Sequence, residues 1–216
     1  MSKARFFVLA FPLLAGLAAT QHAMPPVSGG KTLESTGPSP VEADFPSGGL
    51  VNLRICPSGL LIKGTLRNQI RVTFAPGNSS DAQDLRARLR VSAPSPATAH
   101  AEIQIQNCPH NNFHITVEVP TTVDLHVRMG AGQLEVTGVS GNKDLELSAG
   151  QLTVEVDKTS EYGHVDGSVL SGEVAARAWG VSKGGLFRSF SQEGPGKYRL
   201  HAHVGAGQVM LHNVDN

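Results

Sequence analysis

The sequence repeats one short phrase three times, as GAGQLEV at Gly130–Val136, SAGQLTV at Ser148–Val154 and GAGQVML at Gly205–Leu211. A weaker fourth copy, VLSGEVAA, contains Gly172. In each copy a glycine follows small residues and precedes a polar side chain and an apolar–polar alternation. Glycine takes positive φ without the steric penalty of a Cβ atom, and it lets a neighbouring backbone approach closely. We therefore predict that the repeated glycine forms a structural turn between two strands, at Gly132, Gly150, Gly172 and Gly207.

Apolar or small residues flank each of these glycines at intervals of two. They stand three and five positions before the glycine and two and four positions after it, as in Val127, Met129, Leu134 and Val136 of the first copy. This spacing is typical of a strand with one buried face. The inward positions on the two sides of the glycine are separated by an odd number of residues. Each copy is therefore predicted to be a corner joining two strands, not one straight strand.

A unit of this length cannot bury its own apolar face, but stacked units can. The repeats predict an all-β fold, specifically a single-domain β-solenoid or β-helix-like stack of short strands over 45–216, into which the N-terminal strands continue. Ordinary hairpins in a β-sandwich are the alternative. The first intervals between the repeated glycines suit single coils. The longer interval from Gly172 to Gly207 calls for an insertion or a further coil.

The N-terminus has the layout of a secretory signal peptide. Lys3 and Arg5 precede an uncharged apolar run over 6–19, which is shorter than the roughly 20 residues that span a bilayer as a helix. We expect a signal peptide over 1–23 and a flexible linker rich in Pro, Gly and Ser over 24–44. No later stretch is apolar and long enough to predict a membrane span. The mature protein is thus expected to be exported to the periplasm, the extracellular space or the cell surface.

Charge and motif content point away from several function classes. The 18 Lys and Arg residues balance the 18 Asp and Glu residues, so nothing in the net charge favours nucleic acid as a partner. The sequence has no P-loop, no G-x-S-x-G turn and no glycine-rich loop between a strand and a helix. We therefore assign no catalytic residue and no cofactor-binding residue.

The two cysteines, Cys56 and Cys108, both follow the signal segment. In an oxidising compartment such a pair most simply forms one disulfide. Closing the loop between the two cysteines would raise the free energy of unfolding by about 3–4 kcal/mol. Two separate buried thiols are the alternative.

The order of these segments resembles a known family. Two segments lead into the glycine repeats, namely GLLIKGTLRNQIRV at Gly59–Val72 and the strand ITVEVP at Ile115–Pro120. In this order of segments the sequence resembles the bacterial DUF4097 family of β-strand-repeat, adhesin-like proteins. The resemblance covers about 45–214. It implies a solenoid-like all-β fold in the cell envelope and supplies no catalytic residues. The family turn carries Asp after the glycine, where this chain carries Gln133, Gln151 and Gln208.

We therefore expect an exported, non-enzymatic protein of the cell envelope that serves as a scaffold or adhesin-like binding module for a glycan or protein partner. A carbohydrate-active enzyme is the alternative, since two stacked carboxylates on an outer face can act as an acid–base pair. The outward acids that could form such a pair are Glu135, Asp144, Glu146, Glu155 and Glu173.

Histidines offer a second alternative. His201 and His203 are two positions apart and share a face, and His126 occupies the repeat position of His201. Three convergent imidazoles can bind a metal. The long interval before Gly207 predicts that their coils are not neighbours, and no cysteine or acid spacing completes a site. We interpret these histidines, together with His110 and His114, as solvent-facing and predict no metal site.

The segment 177–200 concentrates aromatic and basic residues. Rings beside Arg and Lys can bind a partner, or they can cover the open end of a stack of strands. The residues that we expect to act as a cap or as a partner-binding surface are Trp179, Phe187, Arg188, Phe190 and Tyr198.

Overall fold

The computed structural model describes residues 30–75, 82–109 and 113–213. The predicted signal peptide over 1–23 lies outside the described residues, as do 24–29 of the predicted linker and His110.

Thirteen strands make up almost all of the regular structure, and the described residues contain no α-helix. The all-β prediction is confirmed. Three single-turn 3₁₀ helices lie at Pro96–Thr98, Thr159–Glu161 and Arg177–Trp179. The strands are β1 (Lys31–Thr36), β2 (Val41–Asp44), β3 (Leu50–Ile55), β4 (Ser58–Thr65), β5 (Gln69–Ala75), β6 (Arg86–Ser92), β7 (His100–Gln106), β8 (His114–Pro120), β9 (Asp124–Thr137), β10 (Lys143–Val156), β11 (Tyr162–Ala176), β12 (Val181–Glu193) and β13 (Tyr198–Asn213).

The first two strands lie inside the segment predicted to be a flexible linker, 24–44, and that prediction is corrected there. β1 pairs antiparallel with β6, and β2 pairs antiparallel with β5. Val41 and Ala43 alternate with polar residues and are buried in the core. Pairing with distant strands gives these short segments an order that their Pro- and Ser-rich surroundings do not indicate.

The long strands bend, and the sheet divides into two layers at the bend. β3 pairs with the first half of β9, Asp124–Met129, whereas β4 pairs with its second half, Gly132–Thr137. The layer through β3 continues to β7, β6 and β1, and the layer through β4 continues to β8, β5 and β2. Apolar side chains of both layers form one core.

The repeated glycines lie at the bend, but each strand continues through its glycine, whereas the sequence predicts a turn between two separate strands. Gly132, Gly150, Gly172 and Gly207 have φ values of +125°, +125°, +135° and +140°. A Cβ atom at each would overlap a carbonyl oxygen of the neighbouring strand. The residues three before and two after each glycine are buried on both sides of the corner, namely Met129, Leu134, Leu147, Leu152, Val169, Val174, Val204 and Val209. The predicted change of parity across the turn is thereby confirmed.

The four repeat strands stack in parallel and in register, but not in sequence order. Gly132 pairs with Gly150, Gly150 with Gly207, and Gly207 with Gly172, so the order is β9–β10–β13–β11. β12 then pairs antiparallel with the outer side of β11. The insertion expected before Gly207 is therefore largely this outer strand, after which the chain returns as β13 between β10 and β11.

The two cysteines are joined as a disulfide in the structure. Cys56 follows β3 and Cys108 follows β7, and their Cα atoms are 5.8 Å apart. Since β3 and β7 pair in parallel, the bridge ties their two ends together beside the corner.

Candidate functional site

The outward face of the stacked strands carries a row of alternating imidazoles and carboxylates. His126 of β9 lies opposite Asp144 of β10, Asp144 lies opposite His201 of β13, and His201 lies opposite Asp166 of β11. Parallel pairing in register brings equivalent repeat positions side by side, so the row crosses four strands. We call these four residues the His–Asp row.

Short polar contacts connect the row along its length. His126 Nδ1 lies 3.2 Å from Asp144 Oδ2, and His201 Nδ1 forms a short hydrogen bond with Asp166 Oδ1. His164 extends the row, with Nε2 3.4 Å from Asp166 Oδ2 and Nδ1 2.6 Å from Glu193 Oε1. These side chains are neither fully buried nor freely exposed, except Glu193, which is largely exposed.

Arg128 bridges the two carboxylates of β10. Its Nη2 donates to Asp144 Oδ2 at 3.0 Å, and its Nε lies 3.0 Å from Glu146 Oε2. Burial raises the pKa of Asp144, but the hydrogen bond and the positive charge of Arg128 outweigh burial and hold that pKa below its usual value. Arg128 is thus a cation held between the two carboxylates of Asp144 and Glu146.

A groove of about 940 Å³ runs across the strands beside the corner. Gly130, Ser148 and Gly205 lie in the groove at equivalent repeat positions on β9, β10 and β13, where larger side chains would fill it. Arg54, Arg128, Glu146 and His203 contribute charged and polar groups to its lining. The groove is therefore open and long in the direction perpendicular to the strands, and these polar groups are set among a larger share of apolar surface.

The five predicted outward acids do not form one cluster, and only Asp144 and Glu146 lie close together. Asp144 and Glu146 are neighbours held by Arg128, whereas Glu173 accepts hydrogen bonds from Ser182 Oγ at 2.7 Å and Gln208 Nε2 at 2.8 Å. Glu135 and Glu155 lie on the other side of the corner from Asp144 and Glu146, because they follow Gly132 and Gly150. Glu146 is the only acid among the groove residues found in the described part of the chain.

The predicted histidines separate into two groups. His126 and His201 are not on neighbouring strands, in agreement with the sequence expectation, but they lie on either side of Asp144 and so meet a common carboxylate. His203 hydrogen-bonds Ser168 Oγ at 2.9 Å, and His114 lies at the start of β8. Spacing along the chain gave no sign of the acids beside His201, because those acids come from a different repeat.

The aromatic segment is divided between the core and solvent. Trp179 packs on the buried Phe190 with ring centroids 5.6 Å apart, and Tyr198 packs edge-on against Tyr162 at 6.5 Å. By contrast, Phe187 is 78% exposed and has a φ of +51°. Arg188, also exposed, donates from Nε to the carbonyl oxygen of Gly184. Trp179, Phe190 and Tyr198 thus occupy positions that suit a cap, while Phe187 and Arg188 remain open to a partner.

Sequence reasoning missed Lys143, which is 2% exposed. Its Nζ donates to Tyr162 Oη at 2.8 Å and to the carbonyl oxygen of Gly141 at 3.2 Å. Burial lowers the pKa of Lys143 to about 8, and burial raises the pKa of Tyr162. The repeat could have indicated that Lys143 is buried, because Lys143 stands seven positions before its glycine. The other copies have apolar residues there, namely Leu125, Val165 and Leu200.

No family model matches the chain, and no curated protein matches it. The DUF4097 resemblance therefore stays a prediction. A solved structure from Clostridium sporogenes, described as that of a "putative cell adhesion protein", is similar with 15% identity and a TM-score of 0.49. The likeness covers 82% of this chain and 99% of that one. It is too weak to carry a conclusion about fold or function.

Among the described residues there is no helix whose length and apolar character would suit a membrane crossing.

Proposed function

We propose that this chain is an exported, non-enzymatic module of the bacterial cell envelope that binds an extended glycan in the groove beside the corner. In this proposal the stacked strands are the β-solenoid that the repeats predict, and their role is to present this surface in the manner of a scaffold or an adhesin-like domain. The observation that carries the proposal is the groove itself, which is lined in large part by equivalent positions of repeats that are neighbours in the sheet.

The shape of the groove favours an extended ligand. Its lining comes from β7, β3, β9, β10, β13 and β11, which are consecutive in the sheet. With neighbouring strands about 4.8 Å apart, six strands span roughly 24 Å. A surface of that length suits several units of a polymer better than one compact metabolite.

The chemistry of the lining favours a ligand rich in hydroxyl groups. Arg54, Arg128 and Gln104 supply hydrogen-bond donors, and Glu146, Gln104 and Ser148 supply acceptors. Leu170, 52% exposed, is a large apolar side chain at one end. Donors and acceptors set among apolar surface suit a polysaccharide, whose sugar rings present both hydroxyl groups and C–H faces, better than a lipid.

The signal peptide predicted over 1–23 supports export, as does the disulfide, since disulfides persist in oxidising compartments. The paired-carboxylate enzyme is less well supported. Asp144 and Glu146 lie close together, but both are tied to Arg128, and Glu146 alone of the two lines the groove.

The test is binding of the mature chain, residues 24–216, to immobilised envelope glycans and peptidoglycan fragments. Ser148→Trp would fill the groove from an exposed position. Glu135→Trp, exposed on the other side of the corner, is the matched control. The proposal expects a glycan that binds the parent and the control but not Ser148→Trp.

Equal binding by both tryptophan variants, or no glycan bound by the parent, would overturn the groove as a glycan site. Release of reducing ends from the same glycans would overturn the non-enzymatic assignment.

A further inference from the structure

A compact set of metal-ligating groups lies on the outward face, beside the groove. Asp144 and Glu146 are two apart on β10 and so share a face, and His201 lies opposite Asp144 on β13. One ligand atom from each of the three side chains lies within 4.8 Å of the other two. Ligands around a zinc ion at about 2.0–2.2 Å are roughly 3.5 Å apart. Modest side-chain rotations would therefore close this set around an ion.

The imidazole of His201 is oriented by a second carboxylate. Its Nδ1 is hydrogen-bonded to Asp166, which leaves Nε2 as the ring nitrogen for a metal. A histidine that binds a metal usually has its other ring nitrogen on a carboxylate, which fixes the tautomer and raises the basicity of the ligand. Asp166 is outside the ligand set and comes from β11, so this orientation arises from a different strand.

We propose that Asp144, Glu146 and His201 bind a divalent transition-metal ion of the Zn²⁺ type. A ligand set with one imidazole and two carboxylates suits zinc and its neighbours, whereas Ca²⁺ and Mg²⁺ prefer oxygen ligands alone. Water fills the remaining coordination position, or His126 does, since its Nδ1 is 3.2 Å from Asp144 Oδ2. This site does not depend on the glycan proposal.

Arg128 occupies the place of a competing cation. Its guanidinium contacts both Asp144 and Glu146 at 3.0 Å, so a metal ion must displace it. The arginine side chain is about one-third exposed and can move toward solvent. Removing the charge of Arg128 should therefore strengthen metal binding. If the cluster served only to hold the strands together, the same change would lower stability and bring no gain in metal affinity.

The test is titration of the tag-free mature chain with Zn²⁺ alone by calorimetry, and with Co²⁺ alone by visible absorption. The parent should bind one ion per chain, and His201→Ala should bind at least tenfold more weakly. Arg128→Gln should bind several-fold more tightly than the parent. His212→Ala is the matched control, because His212 is on the same strand but pairs with Glu155 beyond the corner. That control should bind like the parent.

Excess Mg²⁺ or Ca²⁺ should not displace the ion. Far-ultraviolet circular dichroism would establish that each variant keeps its β structure. The proposal is overturned if neither the parent nor Arg128→Gln binds an ion, or if His201→Ala binds as tightly as the parent.

Discussion

Replacing Gly150 by Ala should destabilise the protein more than the same substitution at a glycine with open space around it. Gly150 has a φ of +125°, which L side chains rarely adopt, and its added Cβ would overlap the carbonyl oxygen of Gly132 on β9. The overlap is with backbone, not with the end of a side chain that can rotate away. Strand β10 must therefore shift relative to β9, or the corner must open.

Two effects set the magnitude. Backbone strain in a sparsely populated region is worth about 1–3 kcal/mol. Moving β10 from β9 also weakens a corner hydrogen bond, for about 1 kcal/mol more. The expected loss of unfolding free energy is thus about 2–4 kcal/mol, against a typical total of about 5–15 kcal/mol.

Gly180 provides the matched control. It has a φ of +70° in the turn after the last 3₁₀ helix, and nothing lies within 4 Å of an added Cβ. Gly180→Ala should therefore lower the unfolding free energy only by the cost of placing a Cβ atom on a left-handed backbone, about 1–2 kcal/mol. Urea unfolding followed by circular dichroism measures both variants. A midpoint for Gly150→Ala no lower than that of Gly180→Ala, at equal slope, would refute the close-packed corner.

Three further outcomes are expected. Phe190→Ala should lower the unfolding free energy by about 3–5 kcal/mol because the ring is buried. Phe187→Ala removes a largely exposed ring and should change the unfolding free energy by less than about 0.5 kcal/mol in the same urea assay. Lys143→Met should be more stable than the parent at pH 7, by up to about 3 kcal/mol. The pKa of Lys143 is about 8 in the folded protein and about 10.5 in the unfolded chain, so the parent gains stability as the pH rises from 8 toward 10.5. The stability advantage of Lys143→Met should therefore shrink over that pH range. Urea unfolding at a series of pH values, with a chelator present, would measure this. Reducing the Cys56–Cys108 bridge should lower the unfolding free energy by about 3–4 kcal/mol, which unfolding with and without reductant would measure.

Local periodicity was sufficient to predict the corner and the inward faces of the repeats. Met129 and Leu134 are separated by an odd number of positions, yet both are buried, because a bend lies between them. Such predictions need only the spacing of apolar residues around one glycine. Short-range pattern therefore accounts for the shape of each unit.

The order of the units could not be read in the same way. All four repeats present equivalent inward and outward positions, so any stacking order buries them equally well. The order in the structure depends on β12, whose pairing with the outer side of β11 requires the chain to return beside β10. The meeting of His201 with Asp144 follows from that return. The sequence therefore predicted Asp144 and Glu146 as outward acids but not their position beside His201.

The most direct test of the architecture is a set of nuclear Overhauser contacts among the corner glycines of the isotope-labelled mature chain. Both candidate surfaces depend on β13 lying between β10 and β11. The structure predicts backbone contacts from Gly207 to both Gly150 and Gly172. It predicts none between Gly150 and Gly172, which are two strand spacings or about 10 Å apart. A direct contact between Gly150 and Gly172, with none from Gly150 to Gly207, would mean that the repeats stack in sequence order and would contradict the account.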